Sequence, residues 1–402
     1  MTSIEWCQNP DGSKGKSWNP IRARNIKTGR VGHYCEHVTD ACRFCYAEWL
    51  NLNTRNLPFG GTGLPFKPGH LADVEIYLDE EKLLEPLSWR TPQRVFVDSM
   101  DDPFGHWVRP EWLDKIFAVM ALRPDHTFIL LTKRPERARE YLAARNGVGD
   151  AHLCRAINEI PFQLGNRRGS LQMPLPNVWL LASCGNQEDV DRFAPIVLDT
   201  PAAVRGLSLE PLLGPVDLKR WMPSGTWGSF QGAPVYHQTY FMTKCEHCGW
   251  LGSSELVHLN SYGDDADCVC PGCHKIFMCD DFGDGRGVRW VITGGESGSR
   301  DQAVRPVHPR WEESLRSQCK AASVPYFRKQ WGEYRVIWER RADPDDRRVP
   351  AVHNVADRRF LNWAGGHGFH GEDVVAVERV GKARAGHLLD GVAHQEWPEV
   401  AS

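Results

Sequence analysis

Arg94-Val95-Phe96-Val97 and Thr127-Phe128-Ile129-Leu130-Leu131 are the two stretches that decide the fold. Each is an apolar run of the length of a buried strand, bounded by polar residues. Between them Pro110 opens a segment that carries Leu113, Ile116, Phe117 and Met120 on one helical face. Working outward, the same alternation recurs. A helix runs through Pro135-Glu136-Arg137, and Val178-Trp179-Leu180-Leu181-Ala182 is a third strand, with a polar helix near Glu188–Val197 after it. Val204 to Leu209 is a fourth, ending in Ser208-Leu209-Glu210-Pro211. Trp290-Val291-Ile292-Thr293 is a fifth, followed by a helix with Trp311, Leu315, Cys319 and Ala322 at helical spacing, and Val324-Pro325-Tyr326-Phe327 is a sixth. Alternating strands and helices build a parallel sheet with right-handed crossovers. Six units predict an α/β fold, a partial or complete (β/α) barrel, with a doubly wound sheet as the alternative.

Both architectures place chemistry at the C-terminal ends of the strands. The polar residues at those ends are Asp98, Ser99, Asp101 and Asp102; Lys133 and Arg134; Ser183 and Asn186; Ser208 and Glu210; and Glu296 and Ser297. The alternation breaks between about 218 and 288, which reads as an inserted module between residues 1–217 and a remainder at 289–402 that includes a C-terminal extension. Residues 338–372, with Arg340-Arg341-Ala342-Asp343-Pro344-Asp345-Asp346, read as a charged surface excursion.

Composition narrows the class. The 402 residues carry 48 Lys+Arg against 51 Asp+Glu, a net charge of −3, which excludes a generally basic nucleic-acid binder but not a local basic groove. No run approaches the ~20 apolar residues of a membrane span, and the first residues lack a signal-peptide pattern, so the expected location is cytoplasmic, with no membrane partner. The 16 Trp are expected in the core. The 13 Cys are clustered rather than spread, which in a reducing compartment points to metal. Cys7, Cys154, Cys184 and Cys319 stand apart from the two groups.

Cys35-x6-Cys42-x2-Cys45 offers three thiolates in one polar loop. Three ligands suit a 4Fe–4S cluster with one iron left open, or zinc if His33 or His37 completes a tetrahedron. In the second group, Cys245-x2-Cys248 and Cys270-x2-Cys273 have the spacing and knuckle-like flanks of a zinc ribbon, with a second iron–sulfur cluster as the alternative. Cys268 and Cys279 leave the ligand choice open. Trp250, Tyr262 and Lys275 nearby permit stacking and phosphate contacts with nucleic acid.

Cys42-Arg43-Phe44-Cys45, with an aromatic before the last cysteine, resembles the cluster loop of radical S-adenosylmethionine (SAM) enzymes. A longer series occurs in order: Ile4-Glu5-Trp6, Trp18-Asn19-Pro20, Cys42-x-x-Cys45-Tyr46-Ala47-Glu48, Phe96-Val97-Asp98-Ser99-Met100 and Leu131-Thr132-Lys133-Arg134-Pro135. Leu207-Ser208-Leu209-Glu210-Pro211-Leu212, Gly294-Gly295-Glu296-Ser297-Gly298 and Lys329-Gln330-Trp331-Gly332 follow. The set resembles the phage-associated three-cysteine-motif family of radical-SAM-like proteins, in which the six-residue gap is usual.

The resemblance implies a 4Fe–4S cluster on Cys35, Cys42 and Cys45, whose open iron chelates SAM and cleaves it to a 5′-deoxyadenosyl radical. It also implies that Gly294-Gly295-Glu296 contacts the methionine ammonium. From their places at strand ends, Asp98, Ser99 and Glu210 are candidates to bind cofactor ribose hydroxyls or a substrate amine, and Lys133 with Arg134 a carboxylate or phosphate. Some members are similar to enzymes that isomerise an amino-acid adduct on thymidine, from N-linked to α-carbon-linked, in phage DNA hypermodification. The implied partners are DNA bearing the modified thymidine, an electron donor and other enzymes of the modification pathway, in the host cytoplasm if the protein is phage-encoded. Two other functions compete: a radical-SAM lyase or methyltransferase acting on a modified or damaged base, and a non-catalytic zinc-containing nucleic-acid-binding module.

Overall fold

The computed structural model describes residues 4–53, 60–161, 163–164, 171–230, 233–260, 267–281, 287–298, 302–340, 352 and 355–399. Its centre is a curled sheet of seven parallel strands that forms a half-barrel. In chain order these are β1 (Lys16–Trp18), β2 (Arg94–Val97), β3 (Thr127–Thr132), β4 (Val178–Cys184), β5 (Val204–Leu209), β6 (Val291–Thr293) and β7 (Tyr326–Arg328). Spatial order follows chain order, and every neighbouring pair is parallel. The six strands expected from the sequence are present. The seventh, β1, was not anticipated: three residues, Lys-Ser-Trp, are too few to show an alternation.

Helices α1 (Tyr46–Leu52), α2 (Pro110–Leu122), α3 (Pro135–Ala144), α4 (Gln187–Leu198) and α5 (Pro309–Ala321) connect or flank the strands. Proline begins α2, α3 and α5, where its missing N–H costs nothing. Asn186 caps α4 by accepting from the Asp189 amide.

Side chains alternate across the sheet. Val95, Val97, Phe128, Leu130, Leu180 and Leu207 pack with the helices. Phe96, Ile129, Trp179, Leu181 and Ile292 face the concave side, where Trp6 and Trp290 complete a second core. Trp6 lies 4.7 Å from Phe96, and Trp179 lies 5.4 Å from Trp290, ring centre to ring centre. At ~25 cal/mol per Å2, a fully buried Trp contributes about 4–6 kcal/mol before entropy is subtracted. Both described ends of the chain meet this face. Trp397 Nε1 donates to the Trp6 carbonyl (2.9 Å), and Trp290 Nε1 donates to the Glu396 carbonyl (2.9 Å).

Between β5 and β6 the chain forms three antiparallel pairs: Gly225–Phe230 with Ala233–Gln238, Met242–Lys244 with Leu251–Ser253, and His258–Leu259 with Cys268–Val269. Arg220 fastens this segment to the body. Its guanidinium lies 4.3 Å from the centre of the buried Trp221 ring and 5.5 Å from that of Trp250, and its Nε donates to the Leu251 carbonyl. Tyr262 lies outside the described residues. So does most of the charged run after Arg340, but the expected surface excursion at 338–372 is not wholly loop. Arg358–Leu361 is a strand in a three-stranded antiparallel sheet with Tyr334–Glu339 and Val375–Arg379. Phe360 and Leu361 bury themselves there, an apolar pair that the surrounding charges masked. No helix among the described residues is long and apolar enough to cross a membrane.

Candidate functional site

The strand ends converge on one carboxylate. Glu210, just past β5, accepts from Trp6 Nε1 at 3.1 Å through Oε2, and Lys329 Nζ, just past β7, stands 3.2 Å from Oε1. That ion pair is off hydrogen-bond geometry, so Oε1 keeps an acceptor position without a hydrogen bond. Burial works against the Lys329 ammonium, but Glu210 and then Glu5 outweigh it and hold its pKa above the usual value. Gly294, past β6, completes the corner: a Cβ there would lie 2.6 Å from Glu210 Oε1. Four of the motifs quoted above therefore meet at Glu210.

Gly295 is clamped to the turn after β7. Its N–H donates to the Gln330 carbonyl (2.8 Å), and Gln330 Nε2 returns a bond to the Gly295 carbonyl (2.8 Å). Glu296 is buried, and its carboxylate is already engaged. Arg305 donates to it from its backbone N (2.8 Å), Nε (3.1 Å) and Nη2 (2.7 Å).

Asp98 ends β2 with φ 48, a left-handed conformation that aspartate tolerates better than most residues. It is 1% exposed, and neither carboxylate oxygen meets a hydrogen-bond partner among the described residues. Burial, then the neighbouring Asp101, pushes its pKa well above the carboxylate range. Ser99 Oγ donates to Asn19 Oδ1 (3.1 Å), while its carbonyl accepts from the Tyr46 hydroxyl. Lys133 Nζ donates to Ser183 Oγ at 2.7 Å, joining the ends of β3 and β4. Asp102 binds the start of α3, accepting from the Lys133 amide (3.0 Å) and Arg134 Nη1 (3.0 Å).

The loop of Cys35, Cys42 and Cys45 lies over these ends and is tied to four of them. Arg134 Nη2 donates to the Glu36 carbonyl (3.0 Å), and Tyr46 bonds to Ser99. Gly185, after β4, comes so near Ala41 that a Cβ on it would sit 3.0 Å from the alanine methyl. Arg305 reaches from beyond β6 to Asp40 Oδ2 (2.5 Å). Burial raises the Cys35 thiol pKa well above its usual value, with Asp102 adding to the effect and Arg134 opposing it. Burial also raises Cys45, opposed by the Glu48 amide and by Lys133. Cys45 is near enough to both Cys35 and Cys42 for their charges to interact. Among the described residues, Cys35, Cys42 and Cys45 lie in one loop but do not form a group whose ligand atoms are close enough together to hold a metal ion.

The second group is preformed. Ligand atoms of Cys245, Cys248, Cys270 and Cys273 all lie within 4.8 Å of one another, so this group can hold a metal ion. Cys245 and Cys273 sulfurs are 3.9 Å apart, and those of Cys248 and Cys270 are 3.7 Å apart. The Trp250 amide pulls the Cys248 thiol down, but desolvation and bonds with Cys273, Cys270 and Cys245 push it up to about 12. Cys268 and Cys279 stand beside each other instead of joining the four.

Sequence reasoning assigned no role to Trp6, Lys329, Asp40 or Arg305. Trp6 and Lys329 lie in quoted motifs, so their positions were marked. Arg305 carried no local signal, because its partner Asp40 is 265 positions away.

The arrangement defines an α/β half-barrel with a cysteine loop and a charged cluster at the C-terminal ends of its strands. A family model described as protein of unknown function (DUF5131) matches residues 1–398, and the chain belongs to that family. No curated protein and no solved structure matches it.

Proposed function

We propose that this protein is a radical-SAM enzyme that isomerises an amino-acid adduct on thymidine in phage DNA. The observation that carries the reading is the seating of Cys35, Cys42 and Cys45 over the C-terminal ends of a parallel half-barrel, beside Lys133 and Arg134. Three half-buried thiols in one loop, with Arg134 acting on Cys35 and Lys133 on Cys45, match the ligand count of a 4Fe–4S cluster that keeps one iron open. When bound, the cluster and SAM supply one-electron cleavage of a C–S bond, and with it hydrogen abstraction from an unactivated carbon.

The chain's own residues bind, orient and exclude water. Glu210 Oε1, which faces the Lys329 ammonium at 3.2 Å, is of the charge to take a second ammonium, and Lys329 and Lys133 are placed to meet a carboxylate. The tryptophan-filled concave face beneath them keeps water from reaching the site through the barrel. In this reading Cys245, Cys248, Cys270 and Cys273 hold a structural zinc in a zinc-ribbon insert, which offers a hold on polymeric DNA. In this reading Lys133, Arg134 and residues of the insert would supply the positive charge for DNA despite the net charge of −3, and the affinity should fall with salt.

The test is anaerobic incubation of reduced protein with SAM and DNA bearing the adduct, followed by nucleoside chromatography and mass spectrometry. The expected product has unchanged mass and a new retention time. Replacing Cys35, Cys42 and Cys45 together by Ala should remove iron and sulfide while the metal of the other group stays. SAM cleavage without a new nucleoside would reject the substrate. Protein that is colourless when purified without oxygen would reject the chemistry and favour a zinc-containing nucleic-acid-binding module, the reading that the preformed four-cysteine group supports by itself.

A further inference from the structure

Arg305 pairs with two carboxylates at once, Glu296 and Asp40. Its backbone N, Nε and Nη2 all donate to Glu296, at 2.8, 3.1 and 2.7 Å. Its Nη1 donates to Asp40 Oδ2 at 2.5 Å, and Nη1 and Nη2 both reach the Asp40 carbonyl at 3.2 Å. Its guanidinium also lies 5.2 Å from the centre of the Phe44 ring, which Arg43 approaches at 5.4 Å. One side chain thus touches the loop after β6 and two points of the cysteine loop.

We infer that Glu296 and Arg305 form a clasp that sets the position of the cysteine loop over the strand ends, and that Glu296 acts through Arg305 rather than by binding a ligand itself. The inference rests on the proposed function only in assigning a cluster to that loop. The physical reason is occupancy. Glu296 is 5% exposed, and Oε1 accepts from Nη2 while Oε2 accepts from N and Nε. A ligand ammonium would have to displace a bidentate guanidinium, the best-matched partner a carboxylate has. Asp40 and Phe44 flank Cys42 and Cys45, so the clasp closes within two residues of both sulfurs. Glu296 and Arg305 are positioning residues.

The test uses full-length protein with Arg305→Met, Arg305→Lys, Glu296→Gln, Asp40→Asn and the Arg305→Met/Glu296→Gln double variant. The first readout is hydrogen exchange of amides 36–45 by mass spectrometry. A lost charge-assisted pair of this kind corresponds to roughly tenfold or more in a local opening equilibrium. Arg305→Met and Glu296→Gln should each speed exchange there by about tenfold, Arg305→Lys and Asp40→Asn less, and the double variant no more than the single ones. The second readout is the electron paramagnetic resonance signal of the reduced, anaerobically loaded protein, titrated with SAM. Glu296→Gln and Arg305→Met should broaden it alike, and Lys at 305 should restore it in part.

Exchange within twofold of the parent in Arg305→Met overturns the clasp. So does a Glu296→Gln protein with normal exchange and signal that needs tenfold more SAM, since Glu296 would then be a direct ligand. If Arg305→Met does not fold, Arg305→Lys and Asp40→Asn decide by exchange. If the parent itself holds no iron, the proposed function falls while the exchange arm still decides the clasp.

Discussion

Gly294 and Gly295 adjoin in sequence but face different obstacles, and alanine at each separates the site from the scaffold. At Gly295 a Cβ would lie 2.2 Å from the Trp331 carbonyl oxygen, 2.4 Å from its carbon and 2.6 Å from the Gly332 nitrogen. All three are backbone atoms, so a side-chain rotation cannot make room. The two segments must part, which breaks the Gly295–Gln330 pair of hydrogen bonds, each 2.8 Å. Two such bonds are worth about 1 kcal/mol each, and overpacking adds roughly 1–3 kcal/mol, so Gly295→Ala should cost about 3–5 kcal/mol. At Gly294 the obstacle is the tip of the Glu210 side chain, 2.6 Å away, with Lys329 Cβ at 3.3 Å. A carboxylate can swing aside without moving backbone, so Gly294→Ala should cost about 1–2 kcal/mol, the loss of the Glu210 contacts alone. The swing, however, takes Glu210 off Trp6 and Lys329.

The assay is guanidinium unfolding followed by tryptophan fluorescence, with Gly69→Ala as the control, since nothing lies within 4 Å of a Cβ there. Gly295→Ala should show the large midpoint shift. Gly294→Ala should show a clearly smaller midpoint shift, and, if the proposed function holds, lose SAM cleavage. A Gly295→Ala protein within about 0.5 kcal/mol of the parent would refute the clamp. Equal losses of stability in the two variants would show that Glu210 does not yield, and that the division between site and scaffold is wrong.

Two further outcomes follow from the cysteines. Cys245→Ser with Cys273→Ser should lose the bound metal and loosen residues 242–279, because so small a module folds with its ion; metal content unchanged by mass spectrometry would place the ligands elsewhere. Cys7 is held as a thiol by burial, its pKa pushed up to about 12 from an ordinary 9, so it should resist iodoacetamide at pH 8 until the chain is denatured. The folded state keeps a proton that the unfolded state releases, so this stability is present below pH 9 and declines as pH rises from 9 toward 12. The Cys7 share of the decline is up to about 1.4 kcal/mol per pH unit, so Cys7→Ala should show a slope shallower by that amount while the buried Cys184 and Cys319 thiols keep theirs.

The sheet was legible wherever a strand is long enough to alternate or lies in an apolar run, which is why β2 to β7 were read and the three-residue β1 was not. Arg358–Leu361 failed for a related reason: its apolar half is two residues long and follows two arginines. The four-cysteine group was legible because ligand spacing is local. The charged contacts were not, since Glu210 meets Lys329 and Asp40 meets Arg305 only after the sheet has curled. The Gly294-Gly295-Glu296 motif shows the limit most clearly. Its glycines stand where close approach demands them, while its carboxylate accepts three bonds from Arg305, a partner no spacing rule could supply.

The placement of the site also explains how the chain tolerates its insertion. Leu207, Ser208 and Leu209 pair directly with Val291, Ile292 and Thr293, so the residues on either side of the interruption form one sheet. Glu210 belongs to the first part, while Lys329 and Gly294 belong to the second. Neither part can assemble the corner by itself. A connection of roughly 80 residues costs only about 1.2 kcal/mol more to close than one of roughly 20, because each doubling of length adds about 0.6 kcal/mol. That cost is small beside the buried area of the two strands it joins. The inserted chain need not be rigid for the sheet to form, and the fixed link at Arg220, Trp221 and Trp250 sets its orientation afterwards. The parallel pairing builds the site, and the segment between β5 and β6 carries the four cysteines that can hold a metal ion.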